Sequence, residues 1–250
     1  MELASELLAF LFFAAIIAGC IDALAGGGGL ITIPAMLMCG LPPVSAIATN
    51  KLGGVGGTLS ASLHFIKTGD IKLGEVTWMM LTTFLGSFLG GMVLTMVDSD
   101  FLSLIVPFLL IGFSLYFLFS PNIGDVDQEK KISPYVYTLV VATSIGFYDG
   151  FFGPGTGSFF AISLVFLLGF NLVKATAQTK ILNFSSNLAA LLYFIYDGHI
   201  LWDVGLLMFA GQVIGGKIGA KLVLAKGKQL IKFAMIAVTI GVSTKMLFIG

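Results

Sequence analysis

The stretch Ser144-Ile145-Gly146-Phe147-Tyr148-Asp149-Gly150-Phe151-Phe152-Gly153-Pro154-Gly155-Thr156-Gly157-Ser158 decides how the chain is read. It sets one carboxylate, Asp149, between long apolar runs and follows it at once with glycine and proline. A fainter copy lies near the start, where Gly19-Cys20-Ile21-Asp22 precedes Gly26 to Gly29. A soluble protein uses such a turn to hold phosphate. An apolar chain that breaks a helix beside a carboxylate needs another reason, because carboxylates inside membrane segments are costly and by default functional. Each copy reads as a broken membrane helix, and the two breaks are expected to line a transport site.

Composition sets the class. Of 250 residues, 57% are hydrophobic and 10% charged, against roughly a quarter charged in soluble domains. The chain therefore reads as all-α and polytopic, a multi-pass protein of a prokaryotic cell membrane with the lipid bilayer as its main partner. The formal net charge is zero, so nothing steers it to nucleic acid. All 13 basic residues are lysine. An anion site must then use lysine, backbone amides, helix N-termini or hydroxyls, since the guanidinium fork is missing.

The apolar runs fall into two similar sets. The first comprises 7–24 up to the glycines, a half-length run 30–39, and spans over 44–66, 76–97 and 101–119. The second comprises 135–152, a half-length run 158–168, and spans over 172–196, 204–224 and 231–249, with a turn expected at Lys226-Gly227-Lys228. Ten residues make about 15 Å of helix, half of the roughly 30 Å hydrocarbon core. The domains are expected at 1–120 and 135–250, two repeats of four to five segments each, joined by a cytoplasmic linker at 121–134. Asp22 matches Asp149, Gly26 matches Gly153, Lys51 matches Lys180, and Gly86, Gly90 and Gly91 are set against Gly211, Gly215 and Gly216.

Lysine placement bears on orientation, because short cytoplasmic loops are rich in it. The third segment is followed by Lys67 and Lys72 in the first half, but by Asp197, His199 and Asp203 in the second. The second half's positive turn, at Lys226 and Lys228, corresponds to Asp98-Ser99-Asp100. The bias swaps, which favours inverted repeats with both termini outside and the broken helices entering from opposite faces.

Broken segments at matching places in two halves point to a transporter's site. The amides of Gly27, Gly28, Gly155, Thr156 and Gly157, with Gly153 at the turn, are candidates to face an anion at the half-helix N-termini; the bland reading is that the glycines only allow close packing. Asp22 and Asp149 either titrate or brace the loops, and an acid beside an anion site would repel the anion. Lys51 and Lys180 either neutralise the substrate or pair with these acids. Asn50, Gln178, Thr179 and Asn183 are candidate oxyanion donors, or bonds between helices. No catalytic set, zinc motif or phosphate-loop lysine is present, so an enzyme, a cofactor and a metal are not expected.

The run Gly146 to Gly157, supported by Gly19 to Gly29 with Pro34 and by Ala48-Thr49-Asn50-Lys51 with its second copy, resembles the sulfite exporter TauE/SafE family of membrane permeases. The resemblance covers nearly the whole chain. It implies about eight spans and a secondary transporter of sulfite, sulfonates or related anions, with Asp149 and its glycines in the translocation path. Alternating access coupled to a proton or cation gradient is the expected mechanism; an anion channel is the alternative, and a membrane-embedded enzyme ranks behind it. The substrate anion, the coupling ion and self-association are left open.

Overall fold

The computed structural model describes residues 4–98, 101 and 127–248, with side-chain surroundings as far as 225. The expected span after Phe101, the turn at Ser99-Asp100 and positions 121–126 of the linker lie outside the described residues. The rest is helical, with no strand among the described residues. The helices are α1 (Ser5–Ala25), α2 (Gly29–Met38), α3 (Pro43–Thr68) and α4 (Leu73–Thr95) in the first half. The second half holds α5 (Thr143–Phe151), α6 (Thr156–Leu168), α7 (Leu172–Asp197) and α8 (Trp202–Phe248). A turn at Pro134–Val136 and a π-helical stretch, Tyr137–Ala142, lead into α5.

The two breaks form where the sequence places them. α1 ends at Gly26, whose φ of 76° only glycine adopts without strain, and the Gly26 amide caps the Asp22 carbonyl. Gly153, with φ of 97°, closes the second break.

One expectation fails. The backbone remains helical through 226–228, where a turn is expected. The neighbours Ala225, Lys226, Lys228, Gln229 and Leu230 are strong helix formers, and a single glycine costs only about 1 kcal/mol in such a run. Gly227 is too weak a stop on its own.

Three of the described helices are long and apolar enough to cross a membrane: Ser5–Ala25, Leu73–Thr95 and Trp202–Ala225. α3 and α7, at 26 residues each, reach about 39 Å but carry buried Asn, Thr, Ser and Lys along their length. They can be that polar because other helices wrap them. α4 shows how. Trp78, Leu81, Leu85, Leu89 and Val93 form an exposed stripe at helical spacing, while Thr83, Gly86, Ser87 and Gly90 are buried behind it. Phe10, Phe13 and Ile17 on α1 and Leu206, Ile214 and Ile218 on α8 do the same.

The small residues bring helix backbones together. Gly86 and Gly90 of α4 lie against the backbone of α5 at Thr143 and Phe147, and Gly215 and Gly219 of α8 lie against α1 at Ile16 and Cys20. Gly146 approaches Thr83 as Gly19 approaches Gln212. These contacts set Gly86 against Gly215 and Gly90 against Gly219, one helical turn from the pairing with Gly211 and Gly215 that the sequence suggests. The corrected displacement is the one that relates Lys51 to Lys180. The cause of the slip is that α8 repeats small residues every four positions, so neighbouring turns look alike in sequence.

The central helices run antiparallel. Gly54 of α3 faces Asn187 of α7, the Leu201 amide beyond the end of α7 donates to Thr49 Oγ1 near the start of α3, and Phe65 at the other end packs with Leu172. α1 starts among Leu41 and Val44, and α2 returns to that cluster through Met36 and Cys39. The π-helical stretch starts beside Leu164 and Leu168 of α6, so the second broken pair enters and leaves at the other end. That end carries Lys67, Lys72, Lys130, Lys131 and Lys174; the linker is tied there by the Gln128 amide donating to the Gly169 carbonyl and that of Lys131 to Leu167. It is called the lysine end below. The opposite end carries Glu6, Asp98, Asp197 and Asp203.

Gly90→Leu should cost about 2 kcal/mol or more, because a Cβ there meets the α5 backbone. Gly74→Leu on the same helix, where nothing lies within 4 Å, should leave thermal unfolding in detergent nearly unchanged.

Candidate functional site

A helix that stops inside an apolar protein leaves carbonyls unpaired at its C-terminal end and amides unpaired at the start of the next helix. Each acid and its lysine answer both needs. Lys180 of α7 donates to the backbone carbonyl of Asp22 at the end of α1, and its ammonium lies 3.9 Å from Asp22 Oδ2. Lys51 of α3 donates to the carbonyl of Asp149 at the end of α5 and lies 3.0 Å from Asp149 Oδ1. A cation there also meets the negative end of the helix dipole. On the other side, Asp22 Oδ1 accepts from the Gly28 amide at 3.2 Å, and Asp149 Oδ1 accepts from Thr156 Oγ1 at 2.8 Å. Each carboxylate therefore bridges the end of one half-helix to the start of the next.

The pairing is crossed: each half's lysine holds the other half's broken helix. Both lysines are buried, at 0% and 1% side-chain exposure, whereas Asp149 is 4% and Asp22 15% exposed. Taking such ions out of water costs several kcal/mol each, and only close, well-bonded pairing offsets it.

The tips of the two breaks touch. Gly26 and Gly157 are in backbone contact, Gly29 abuts Pro154, and Ser158 Oγ donates to the Ala25 carbonyl. Beside this contact lies a cavity of about 20 Å³ bounded by both acids, which has room for about one water. Asn50, Asn183, Asn187, Gln212, Thr58 and Thr156 are among its lining residues. The space between the breaks is water-sized.

Of the residues singled out from sequence, Asp22, Gly28, Asn50, Asp149, Gly153, Thr156, Gly157 and Asn183 line this cavity. Lys51 and Lys180 stand behind the acids. Gly27 and Gly155 shape the breaks without being among the lining residues. The Gly28 amide, expected to face an anion, is held by Asp22. Gln178 is elsewhere: it lines a cleft of about 370 Å³ at the lysine end with Asp70, Lys72, Glu75 and Lys174. Two residues before Lys180 means about 200° around the helix, which turns it away. Sequence reading missed Gly54, Thr58, Asn187 and Gln212. Gly54 and Thr58 are the counterparts of Asn183 and Asn187 at the displacement relating Lys51 to Lys180, so the repeat register held that signal. Among the described residues, no group of three or more His, Cys, Asp or Glu side chains gathers to hold a metal.

Lys51→Met leaves Asp149 buried without its counter-ion and should cost about 3–5 kcal/mol. Lys180→Met should cost less, since its pair is longer and Asp22 more exposed. In Lys51→Met/Asp149→Asn, thermal unfolding in detergent should recover much of the loss.

Comparison with known proteins gives one consistent family. The sequence model described as "Sulfite exporter TauE/SafE" matches residues 11–246. A "probable membrane transporter protein ORF9" of Sinorhizobium sp is 50% identical over 98% of this chain and 94% of its own. A "probable membrane transporter protein" of Haemophilus influenzae is 46% identical over 99% of this chain and 97% of its own. The "probable membrane transporter protein YfcA" of Escherichia coli is 44% identical over 97% of this chain and 90% of its own. No solved structure matches. A match across nearly the full length, agreeing with the paired breaks at Asp22 and Asp149, means that this chain belongs to the sulfite exporter TauE/SafE family.

Proposed function

We propose that the protein is a secondary transporter of small sulfur-containing or organic anions, such as sulfite or a sulfonate, working by alternating access. Its place in a family of membrane transporters supports the coarser part of this reading. The observation that carries it is the crossed pair of lysine–aspartate clamps around a closed polar cavity where two half-length hairpins meet. A site held equally by two halves can be uncovered towards either end by rocking one half against the other. The water-sized cavity favours a carrier over a channel.

The charges give the site its logic. Two lysines and two aspartates sum to zero, so an anion arriving alone would be an uncompensated charge in a low-dielectric interior. A cation taken up beside an aspartate frees its lysine to meet the anion, and the side-chain amides of Asn50, Asn183 and Gln212 are candidate donors. That balance supports coupling to an ion gradient.

The antiparallel central helices support inverted repeats, and the lysine end is assigned to the cytoplasm. In cells, Glu75→Cys should react with a membrane-impermeant thiol reagent only from the cytoplasmic face and Asp203→Cys only from outside. Labelling from the reverse faces would overturn the orientation.

In proteoliposomes, purified protein should move labelled sulfite or a small sulfonate with saturation, driven by an imposed ion gradient. Asp149→Asn should reduce the rate at least about tenfold, as expected when an interaction that balances a buried charge is lost. Absence of flux with every such anion would reject the anion reading, and unsaturable conductance would point to a channel.

A further inference from the structure

Buried polar atoms in folded proteins almost always have a hydrogen-bond partner, so each one left without asks for a reason. Among the described residues, five buried side-chain atoms lack one: Ser62 Oγ, Asp149 Oδ2, Thr176 Oγ1, Thr179 Oγ1 and Asn183 Oδ1. Asp149 and Asn183 line the central cavity. The other three lie beyond it in one direction only. On α3, Ser62 follows the cavity residue Thr58 by one turn. On α7, Thr179 and Thr176 precede Asn183 at spacings of four and three, which keeps them near one face. Because α3 and α7 are antiparallel, all three hydroxyls fall on the lysine side of the cavity. The tip of α1, Leu24 and Ala25, packs in the same cluster as Phe65, Leu172 and Ala177 and covers this side.

The matching positions on the other side differ in chemistry. The displacement that takes Lys51 to Lys180 takes Ser62 to Leu191 and Ile47 to Thr176. Leu191 and Ile47 are buried in the apolar cluster at the opposite end, with Ala190 and Phe194. The third match, Asn50 with Thr179, has its carbonyl oxygen satisfied by Thr32 Oγ1 at 2.5 Å. Equivalent places in the two halves are thus hydroxylic and unsatisfied towards the lysine end, but apolar or satisfied towards the opposite end.

The geometry points to Ser62, Thr176 and Thr179 as the lining of the half-path from the central site to the lysine end, and to that half-path as the one that opens from this closed state. The inference rests on the transport reading of the central site and adds the route and its direction. Opening this side wets hydroxyls that pay a desolvation penalty while closed. Opening the other side wets Ile47 and Leu191 in place of those hydroxyls, which is unfavourable; Phe194 there is matched by the equally buried Phe65 on the lysine side and does not bias the choice. Hydroxyls also suit a passing oxyanion, since each donates one hydrogen bond without holding the ion as a lysine would.

Accessibility tests this without knowledge of the substrate. In a Cys20→Ala/Cys39→Ala background, Ser62→Cys, Thr176→Cys, Ile47→Cys and Leu191→Cys are each exposed to a small membrane-impermeant thiol reagent in membrane vesicles of both orientations. Ser62→Cys and Thr176→Cys should react from the lysine end at least about tenfold faster than Ile47→Cys or Leu191→Cys react from either side, the bias expected from a few unmet hydroxyl bonds. Equal reaction, preference for the Ile47 and Leu191 positions, or no reaction at any position would overturn the assignment. If a variant fails to reach the membrane, the third matched pair, Thr179→Cys against Asn50→Cys, decides by the same criteria. Labelling needs no substrate, so a failed labelling pattern leaves the anion reading to its flux test, and a failed flux test leaves the labelling result intact.

Discussion

The structure depends on one interaction made twice: a buried lysine of one half holding the cut end of a helix in the other. Lys51 grips the carbonyl and carboxylate of Asp149, and Lys180 does the same to Asp22. Non-helical backbone at membrane depth survives only where protein or a wet cavity satisfies it. Here the lysine donates to a carbonyl at the end of the first half-helix, alone at Asp149 and beside the Gly26 amide at Asp22, and the aspartate meets the start of the second. Without the lysine, the break would expose carbonyls and a carboxylate to an apolar interior. Without the break, the lysine would have nothing to neutralise it. Neither half can complete its own site, so the clamps also join the halves.

This arrangement changes what the glycines are for. A half-helix N-terminus favours an anion, but in the closed structure the anion already present is the protein's own carboxylate. Asp22 occupies the Gly28 amide and Asp149 the Thr156 hydroxyl. The glycine tips touch each other, Gly26 against Gly157, beside the water-sized cavity. On the proposed reading, a substrate anion competes with these internal carboxylates for the same donors.

Much of this was legible in the sequence because charge inside an apolar chain is conspicuous. Asp22, Asp149, Lys51 and Lys180 stand out against their surroundings, and the glycines mark both breaks. The crossed pairing was not legible, because it needs the relative placement of two halves that no local pattern encodes. The glycine stripe was misread by one turn, since small residues recur every four positions on α8 and adjacent turns score alike. Gln178 sits next to marked residues in sequence but on another side of α7. Thr58 and Gly54 are unremarkable alone and become visible only as counterparts of Asn187 and Asn183.

A structure determined with a bound sulfite or sulfonate tests the central claim most directly. The account predicts the anion at the junction of the two breaks, among Asn50, Asn183 and Gln212, with Gly26 and Gly157 parted and at least one lysine drawn from its aspartate towards the ligand. An anion bound elsewhere, with the Gly26–Gly157 contact and both lysine–aspartate clamps intact, would contradict it.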